Sequence, residues 1–217
     1  MPELAAFNAE HLIPRFVGVS PPATPDAPAT LTIEDVSAAF RAPCVADIKM
    51  GTQTWQPGCS AEYRARKLAQ DAQCTTATHG FRFSGVCLPD ATYGHDFGWH
   101  ATADAQMLAC LRAVLQCVPR AHWAATVAAV AARVAAIRAA VAAAPWSFIA
   151  SSLLVVYEGA PAAWPAAPVV VLVDFEHTEP TPGRVDTGFL FGCDNLLRLL
   201  SLLRDDNGSH TSNQRSQ

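Results

Sequence analysis

Asp47 and Lys49 stand two positions apart in the stretch PCVADIKMG, residues 43–51, which is otherwise apolar. Successive side chains of a β-strand point to opposite faces, so a strand here places both charged groups on one face. Desolvation of two buried charges offsets much of their attraction, so such a pair adds little stability and hints at a functional role. The alternative is an ordinary structural ion pair near the end of a strand.

A further acidic residue, Asp174, follows the apolar stretch PVVVLV at residues 168–173. A buried strand holds a carboxylate at its end in place, and the exposed end is open to a divalent cation. An aspartate at such a position is also a common turn former or helix cap. The residues alone leave both interpretations open.

A basic helix is predicted for residues 60–71, SAEYRARKLAQD. Ser60 is a candidate N-cap, and Arg64, Arg66 and Lys67 supply the positive charge. Phosphoryl transfer to a polyanionic alcohol requires an acid near the hydroxyl and a lysine at the moving phosphoryl group. It also requires a metal ion on the nucleotide phosphates and basic groups on the phosphates of the acceptor.

Helices and strands are both predicted around these groups. Alternation and apolar runs predict strands at 30–36, 43–51, 79–88, 147–159 and 168–178. The strand at 79–88 carries Arg82 as its charged member. Helical periodicity predicts helices at 101–117 and 121–144 and a C-terminal helix after residue 186. The alanine-rich stretch 121–144 has one apolar stripe, which is typical of a packing helix that ends before Pro145.

The composition excludes several classes of protein. Of the 217 residues 51% are hydrophobic and 16% are charged, and the net charge is −4, which argues against disorder and against nucleic-acid binding. The seven cysteines are odd in number and form no C-x-x-C pair, so we expect reduced thiols in a cytoplasmic or nuclear protein. The N-terminus has no signal-peptide pattern, and we expect a soluble chain without stable membrane insertion.

Four motifs occur in order along the chain. They are P-x-x-x-D-x-K-x-G at 43–51, SSLLVVYE at 151–158, VDFEHT at 173–178 and DTGFLFGCDNLLRLL at 186–200. In order and spacing they resemble the inositol polyphosphate kinase family, and most of all its multikinase branch as found in plants and algae. The likeness runs over residues 10–203, and TLTIEDV at 30–36 resembles the family hinge. Chance rarely aligns several ordered motifs, which argues against a generic α+β domain.

The resemblance implies an α+β, two-lobed inositol polyphosphate kinase fold, distantly related to protein kinases. Residues 1–39 would be a remnant of the N-lobe and hinge, residues 40–204 the C-lobe, and residues 205–217 a disordered tail. The C-lobe would include an inositol-phosphate-binding helix at residues 58–71. Family members usually have further residues, including an ATP-binding lysine, before the segment matching LIPRFVGV. We therefore expect most of the first N-lobe strands to be missing from this chain.

The resemblance also implies roles for individual residues. Asp47 and Lys49 would be catalytic: Asp47 contacts the ATP ribose or the attacked hydroxyl, and Lys49 holds the transferred phosphoryl group. Glu34 and Val36 would line the adenine site. The implied metal ligands for Mg²⁺ are Asp174 and Ser152. The implied substrate-binding residues are Lys49, Arg66, Lys67, Gln70 and His177. Gln70 stands where family members often have lysine, which leaves the acceptor preference open.

The expected activity is transfer of the γ-phosphoryl group of ATP to hydroxyls of inositol tris- or tetrakisphosphates. The cofactors would be ATP and Mg²⁺, and the chain would act as a monomer on its inositol phosphate substrate. Two alternatives stay open: an inositol hexakisphosphate kinase, and a catalytically impaired pseudokinase that binds inositol phosphates.

Overall fold

The computed structural model describes residues 5–22, 24 and 27–205. Within them the helices are α1 (Ala5–Ala9), α2 (Ala61–Asp71), α3 (Thr76–His79), α4 (Asp104–Val114), α5 (Trp123–Ala143) and α6 (Thr187–Asp205). The strands are β1 (Phe16–Ser20), β2 (Thr30–Ile33), β3 (Pro43–Met50), β4 (Phe81–Leu88), β5 (Ala91–Tyr93), β6 (Trp146–Phe148), β7 (Ser152–Glu158), β8 (Val169–Val173) and β9 (Thr178–Pro180). This mixture confirms the predicted α+β class.

A five-stranded antiparallel sheet organises the described chain, in the order β5-β4-β3-β7-β8. The central strand is β3, which pairs with β4 on one side and with β7 on the other. Two smaller sheets, β1–β2 and β6–β9, each contain two strands. Because β3 is hydrogen-bonded to strands on both sides, the backbone that carries Asp47 and Lys49 is held rigidly.

The core lies on the face of the sheet opposite those charged groups. The alternate residues of β3, namely Cys44, Ala46, Ile48 and Met50, are each at most 2% exposed. Helix α6 packs on β3 and β4, while α5 packs on β8 and along α6. Burial of each large apolar side chain in this layer contributes about 1.5–3 kcal/mol. The predicted alternation of β3 is therefore confirmed.

Helix α5 is the packing helix that the alanine-rich stretch predicts. Its stripe of Val127, Val130, Val134, Ile137 and Val141 is at most 3% exposed. By length and composition the stretch Arg120–Ala143 could also cross a membrane, but a core helix satisfies the same criterion. Arg133 donates hydrogen bonds to the carbonyls of Glu10 and His11, which ties this helix to the N-terminal segment of the fold.

Several predicted strands are longer than the observed ones, and two of them are divided by a chain reversal. The strand predicted at 147–159 is interrupted: β6 ends at Phe148, Ala150 has a φ of 56°, and β7 begins at Ser152. The strand predicted at 168–178 ends at Val173, because Asp174 has a φ of 64°. A left-handed residue ends the extended conformation, and hydrophobic periodicity does not reveal it. The consequence is that two chain reversals lie side by side at one end of the sheet.

The helix boundaries also differ from those predicted. The basic helix begins at Ala61, three residues later than the predicted start of the substrate helix at residue 58. Asp205, which was assigned to a disordered tail, is the last residue of α6, because the helical pattern continues to it. Residues 206–217 lie outside the described residues, and their predicted disorder is untested.

The β1–β2 hairpin carries apolar side chains that face solvent. Phe16, Val17, Val19, Leu31 and Ile33 are between 47% and 61% exposed. The two strands are joined by the predicted proline-rich loop, of which residues 23, 25 and 26 lie outside the described part. The predicted division of the chain into lobes stays a prediction.

Candidate active site

Asp47 and Lys49 lie side by side on the half-buried face of β3, as strand alternation requires. In the register of the sheet Lys49 lies between Arg82 of β4 and Ser152 of β7. The pair is therefore half-buried near the end of the central strand, where electrostatic interactions are stronger than in bulk water.

The Lys49 ammonium contacts two residues that lie at chain reversals, Ala150 and Asp174. Its Nζ donates a hydrogen bond of 2.7 Å to the carbonyl of Ala150 and lies 3.9 Å from Oδ2 of Asp174. Burial lowers the pKa of the Lys49 ammonium, while the negative charges of Asp47 and Asp174 act in the opposite direction. The Lys49 side chain is 18% exposed, so its charge remains accessible to an anion.

Asp47 has a buried carboxylate oxygen, Oδ1, without a hydrogen-bond partner in the described structure. Burial raises the pKa of this carboxyl above its ordinary value, while the Ser152 hydroxyl and the Lys49 charge oppose the rise. The Ser152 hydroxyl is near enough to have this effect, but it forms no hydrogen bond of ordinary geometry with Asp47. A carboxyl with a raised pKa is suited to accept a proton from a hydroxyl group.

Asp174 follows β8 and presents an exposed side chain next to Lys49. Its side chain is 60% exposed, and its backbone carbonyl accepts a 2.7 Å hydrogen bond from the buried hydroxyl of Ser151. Because of this contact the backbone of Asp174 is tied to the start of β7. The predicted proximity of Asp47, Lys49 and Asp174 is thus present in the structure.

These groups fit a magnesium ion that also binds phosphate. Ser152 is fully buried, its Oγ has no hydrogen-bond partner in the described structure, and it lies opposite Val173, the residue before Asp174. Among the described residues no group of three or more His, Cys, Asp or Glu side chains could hold a metal ion by itself. Mg²⁺ is commonly bound by one or two carboxylates together with substrate phosphates, which suits so sparse a set of ligands.

Helix α2 supplies the basic surface. Ser60 caps the helix by accepting a hydrogen bond from the Tyr63 backbone N–H, which confirms the predicted N-cap. The guanidinium of Arg66 and the ammonium of Lys67 lie over the Tyr63 ring, at 5.1 Å and 5.7 Å from its centre. Lys67 also contributes to the lowered pKa of Lys49, so the helix lies near β3.

The other predicted site residues are less closely joined to this cluster. Glu34 accepts a 3.1 Å hydrogen bond from the Arg15 backbone N–H and is exposed, and Val36 lies in the turn that follows. Gln70 is half-buried in the last turn of α2, and His177 is half-buried in the turn before β9. In the described part of the chain, no hydrogen bond or ion pair links any of these four side chains to Asp47 or Lys49.

Three residues that contact or adjoin Lys49 or Asp174 were not predicted as site residues. The carbonyl of Ala150 holds Lys49, the hydroxyl of Ser151 holds Asp174, and Arg82 lies opposite Lys49. Ser151 could have been found, because it begins the SSLLVVYE motif. Ala150 gave no signal, since it acts through its backbone, and the position of Arg82 depends on strand register.

The known proteins that are similar to this chain are inositol phosphate kinases. The family model described as inositol polyphosphate kinase matches residues 30–201. The curated inositol polyphosphate multikinase IPK2 of Oryza sativa subsp. indica is 39% identical over 104 residues, covering 42% of this chain and 35% of that protein. Inositol polyphosphate multikinase alpha of Arabidopsis thaliana is 36% identical over 84 residues, covering 37% of this chain and 29% of that protein. Inositol hexakisphosphate kinase 3 of Mus musculus is 26% identical over 201 residues, covering 78% of this chain and 50% of that protein.

The fold is also found in a solved structure. The inositol phosphate multikinase Ipk2 of S. cerevisiae, in complex with ADP and Mn²⁺, superposes with a TM-score of 0.78 at 20% sequence identity, covering 88% of each chain. The chain spans about a third of the length of the curated plant multikinases that it matches. The family model covers most of the chain, and the four ordered motifs lie within its range. The chain therefore belongs to the inositol polyphosphate kinase family.

Proposed function

We propose that this chain is an ATP-dependent inositol polyphosphate kinase of the multikinase type. Its substrates would be inositol tris- and tetrakisphosphates, and its metal ion would be Mg²⁺. The observation that carries the proposal is the cluster of Asp47, Lys49 and Asp174 near one end of the sheet, beside the basic helix α2. A buried acid, a lysine and an exposed carboxylate next to a cationic helix meet the needs of phosphoryl transfer to a polyanionic alcohol.

In the proposed reaction an inositol hydroxyl attacks the γ-phosphorus of ATP. An oxygen–phosphorus bond forms to the acceptor, the bond to the β,γ-bridging oxygen breaks, and ADP leaves with that electron pair. Asp47 orients the hydroxyl and accepts its proton. Lys49, fixed by the Ala150 carbonyl, holds the moving phosphoryl group. Mg²⁺ bound at Asp174 and Ser152 would neutralise charge on the nucleotide phosphates.

The flanking residues would bind the two substrates. We place the adenine near Glu34 and Val36 at the end of the β1–β2 hairpin, as in the family hinge. The phosphates of the acceptor would lie along α2, against Arg66, Lys67 and Gln70. His177 would face the inositol ring from the turn after Asp174.

The multikinase type is favoured over a hexakisphosphate kinase by the length over which the higher identity extends. The multikinase IPK2 of Oryza sativa is 39% identical over 104 residues, whereas hexakisphosphate kinase 1 of Mus musculus is 40% identical over 65 residues and hexakisphosphate kinase 3 is 26% identical over 201 residues. A direct comparison of inositol 1,4,5-trisphosphate and inositol hexakisphosphate as acceptors separates these two activities.

The decisive experiment measures ATP consumption with inositol 1,4,5-trisphosphate and Mg²⁺ in the wild type and in Asp174→Asn and Lys49→Met. We expect either substitution to lower kcat by about 100-fold or more, because each removes a preorganised charge at the transition state. The control is Asp90→Asn, which changes an exposed aspartate in the turn between β4 and β5 and should leave kcat unchanged. Binding of the trisphosphate without turnover by the wild type would support the pseudokinase alternative instead.

A further inference from the structure

Arg82 is a buried cation on the same face of the sheet as the proposed catalytic residues. It lies directly opposite Lys49 in the pairing of β3 with β4, and Ser152 lies opposite Lys49 on the other side. Directly opposite residues of an antiparallel pair project from the same face. Arg82, Lys49 and Ser152 therefore form a row across three strands.

The guanidinium of Arg82 lacks the partners that a buried arginine requires. The residue is 9% exposed, its Nε has no hydrogen-bond partner, and its Nη1 makes only a long contact of 3.4 Å to the carbonyl of Phe83. Within the described residues no carboxylate forms an ion pair with it, although Asp47 is near enough for Arg82 to lower its pKa. A guanidinium has five N–H donors, and leaving the buried Nε–H of Arg82 unpaired is costly.

Trp99 holds this guanidinium in place without satisfying its hydrogen bonds. The guanidinium carbon lies 5.3 Å from the centre of the indole ring, in the geometry of a cation–π contact. Such a contact fixes the plane of the guanidinium and leaves its N–H groups at the edge for another partner. A planar fork of donors next to a lysine is suited to the oxygens of a phosphate group.

We propose that Arg82 is a phosphate-binding residue of this site and that it holds, together with Lys49, one phosphoryl group of a substrate. This inference rests on the proposed kinase function. The phosphoryl group belongs either to the nucleotide or to the inositol phosphate acceptor, and both present the same chemistry to the guanidinium. The two sources are distinguished by measuring the binding of each ligand separately.

The test uses isothermal titration calorimetry on wild type and Arg82→Met, with ADP plus Mn²⁺ in one arm and inositol 1,4,5-trisphosphate in the other. We expect Arg82→Met to weaken at least one of these ligands by about tenfold or more, which is typical for the loss of a charge-assisted hydrogen bond. Weaker binding of ADP alone assigns Arg82 to the nucleotide, and weaker binding of the trisphosphate alone assigns it to the acceptor. Arg120→Met, which changes an exposed arginine outside the site, is the control and should leave both affinities unchanged.

Thermal unfolding of each variant separates a binding role from a structural one. Arg82→Gln keeps a planar donor without the charge, and it replaces Arg82→Met in both titrations if the methionine variant does not fold. Affinities that stay within twofold of wild type for both ligands would overturn the proposal, whatever the loss of stability. Because binding is measured without turnover, this result is independent of whether the wild type proves to be an active kinase.

Discussion

Two residues with left-handed backbones, Ala150 and Asp174, set the position of the Lys49 ammonium. Such conformations cost non-glycine residues about 1–3 kcal/mol each, and surrounding contacts must hold them. Ser151 supplies these contacts: its hydroxyl donates to the Asp174 carbonyl, and its own carbonyl accepts a 2.8 Å hydrogen bond from the Met50 N–H. We infer that Ser151 stabilises the backbone at Ala150 and Asp174 in the positions from which both residues contact Lys49.

Replacing Ser151 by alanine should therefore lower the free energy of unfolding by about 1 kcal/mol, because the Asp174 carbonyl loses a donor. It should also weaken binding of ADP in the presence of Mn²⁺. The adjacent Ser152→Ala is the matched control, because that hydroxyl is equally buried but has no hydrogen-bond partner in the described structure. We expect Ser152→Ala to preserve stability and to weaken only ligand binding. Urea unfolding followed by circular dichroism measures the difference, and an equal loss of stability in both variants would contradict this account.

Helix α2 is attached to the fold mainly at its C-terminal end. Asp71 is the buried residue of this helix, and its carboxylate accepts hydrogen bonds of 2.9 Å and 2.7 Å from the backbone N–H and hydroxyl of Thr54. The basic side chains occupy the exposed or half-buried turns before it. An apolar stripe does not anchor this helix, so its orientation toward Lys49 depends on the contact between Asp71 and Thr54.

Asp71→Ala should cost about 1–3 kcal/mol of stability, since two buried donors of Thr54 lose their acceptor. Because α2 then loses its anchor, we also expect the KM for inositol 1,4,5-trisphosphate to rise more than kcat falls. Glu62→Gln, at an exposed position in the first turn of the same helix, serves as the control. Steady-state kinetics test this expectation, and a fall in kcat at constant KM would show that α2 has a different role.

At the scale of the whole molecule, helix α6 is joined to the site through a contact between two glycines. The N–H of Gly51, the last residue of the P-x-x-x-D-x-K-x-G motif, donates a 2.8 Å hydrogen bond to the carbonyl of Gly80. Gly80 has a φ of 70°, and a Cβ atom there would lie 2.7 Å from the backbone nitrogen of Gly192 in α6. The backbones approach this closely only because neither glycine has a side chain. The packing of α6 thus supports the C-terminal end of β3.

Gly192→Ala should accordingly destabilise the fold by about 2–3 kcal/mol, because the added methyl group meets the Gly80 backbone, which cannot move aside without shifting β3 or α6. For a chain of this size the expected decrease in Tm is about 5–10 °C. Gly18→Ala is the control, because a Cβ atom there meets no described atom within 4 Å. Differential scanning calorimetry measures both variants, and equal Tm values would contradict the proposed role of the close contact.

The sequence by itself determined the local features of this protein. Period-two alternation placed Asp47 and Lys49 on one face of β3, and four ordered motifs indicated the family. Ser60 as the N-cap of α2 and the apolar stripe of α5 were predicted in the same way. These features depend on side-chain period and capping within one element, so neighbouring residues are sufficient to specify them.

Only the tertiary structure decided which groups complete the site. The Ala150 carbonyl reaches Lys49 across a separation of 101 residues, and Arg82 stands opposite Lys49 because of the register between β3 and β4. The strand predicted at 147–159 was wrong for a related reason, since the left-handed turn at Ala150 is held by contacts with distant residues. Register and chain reversals are set by packing between elements that are remote in sequence, and a periodic pattern within one element contains no information about them.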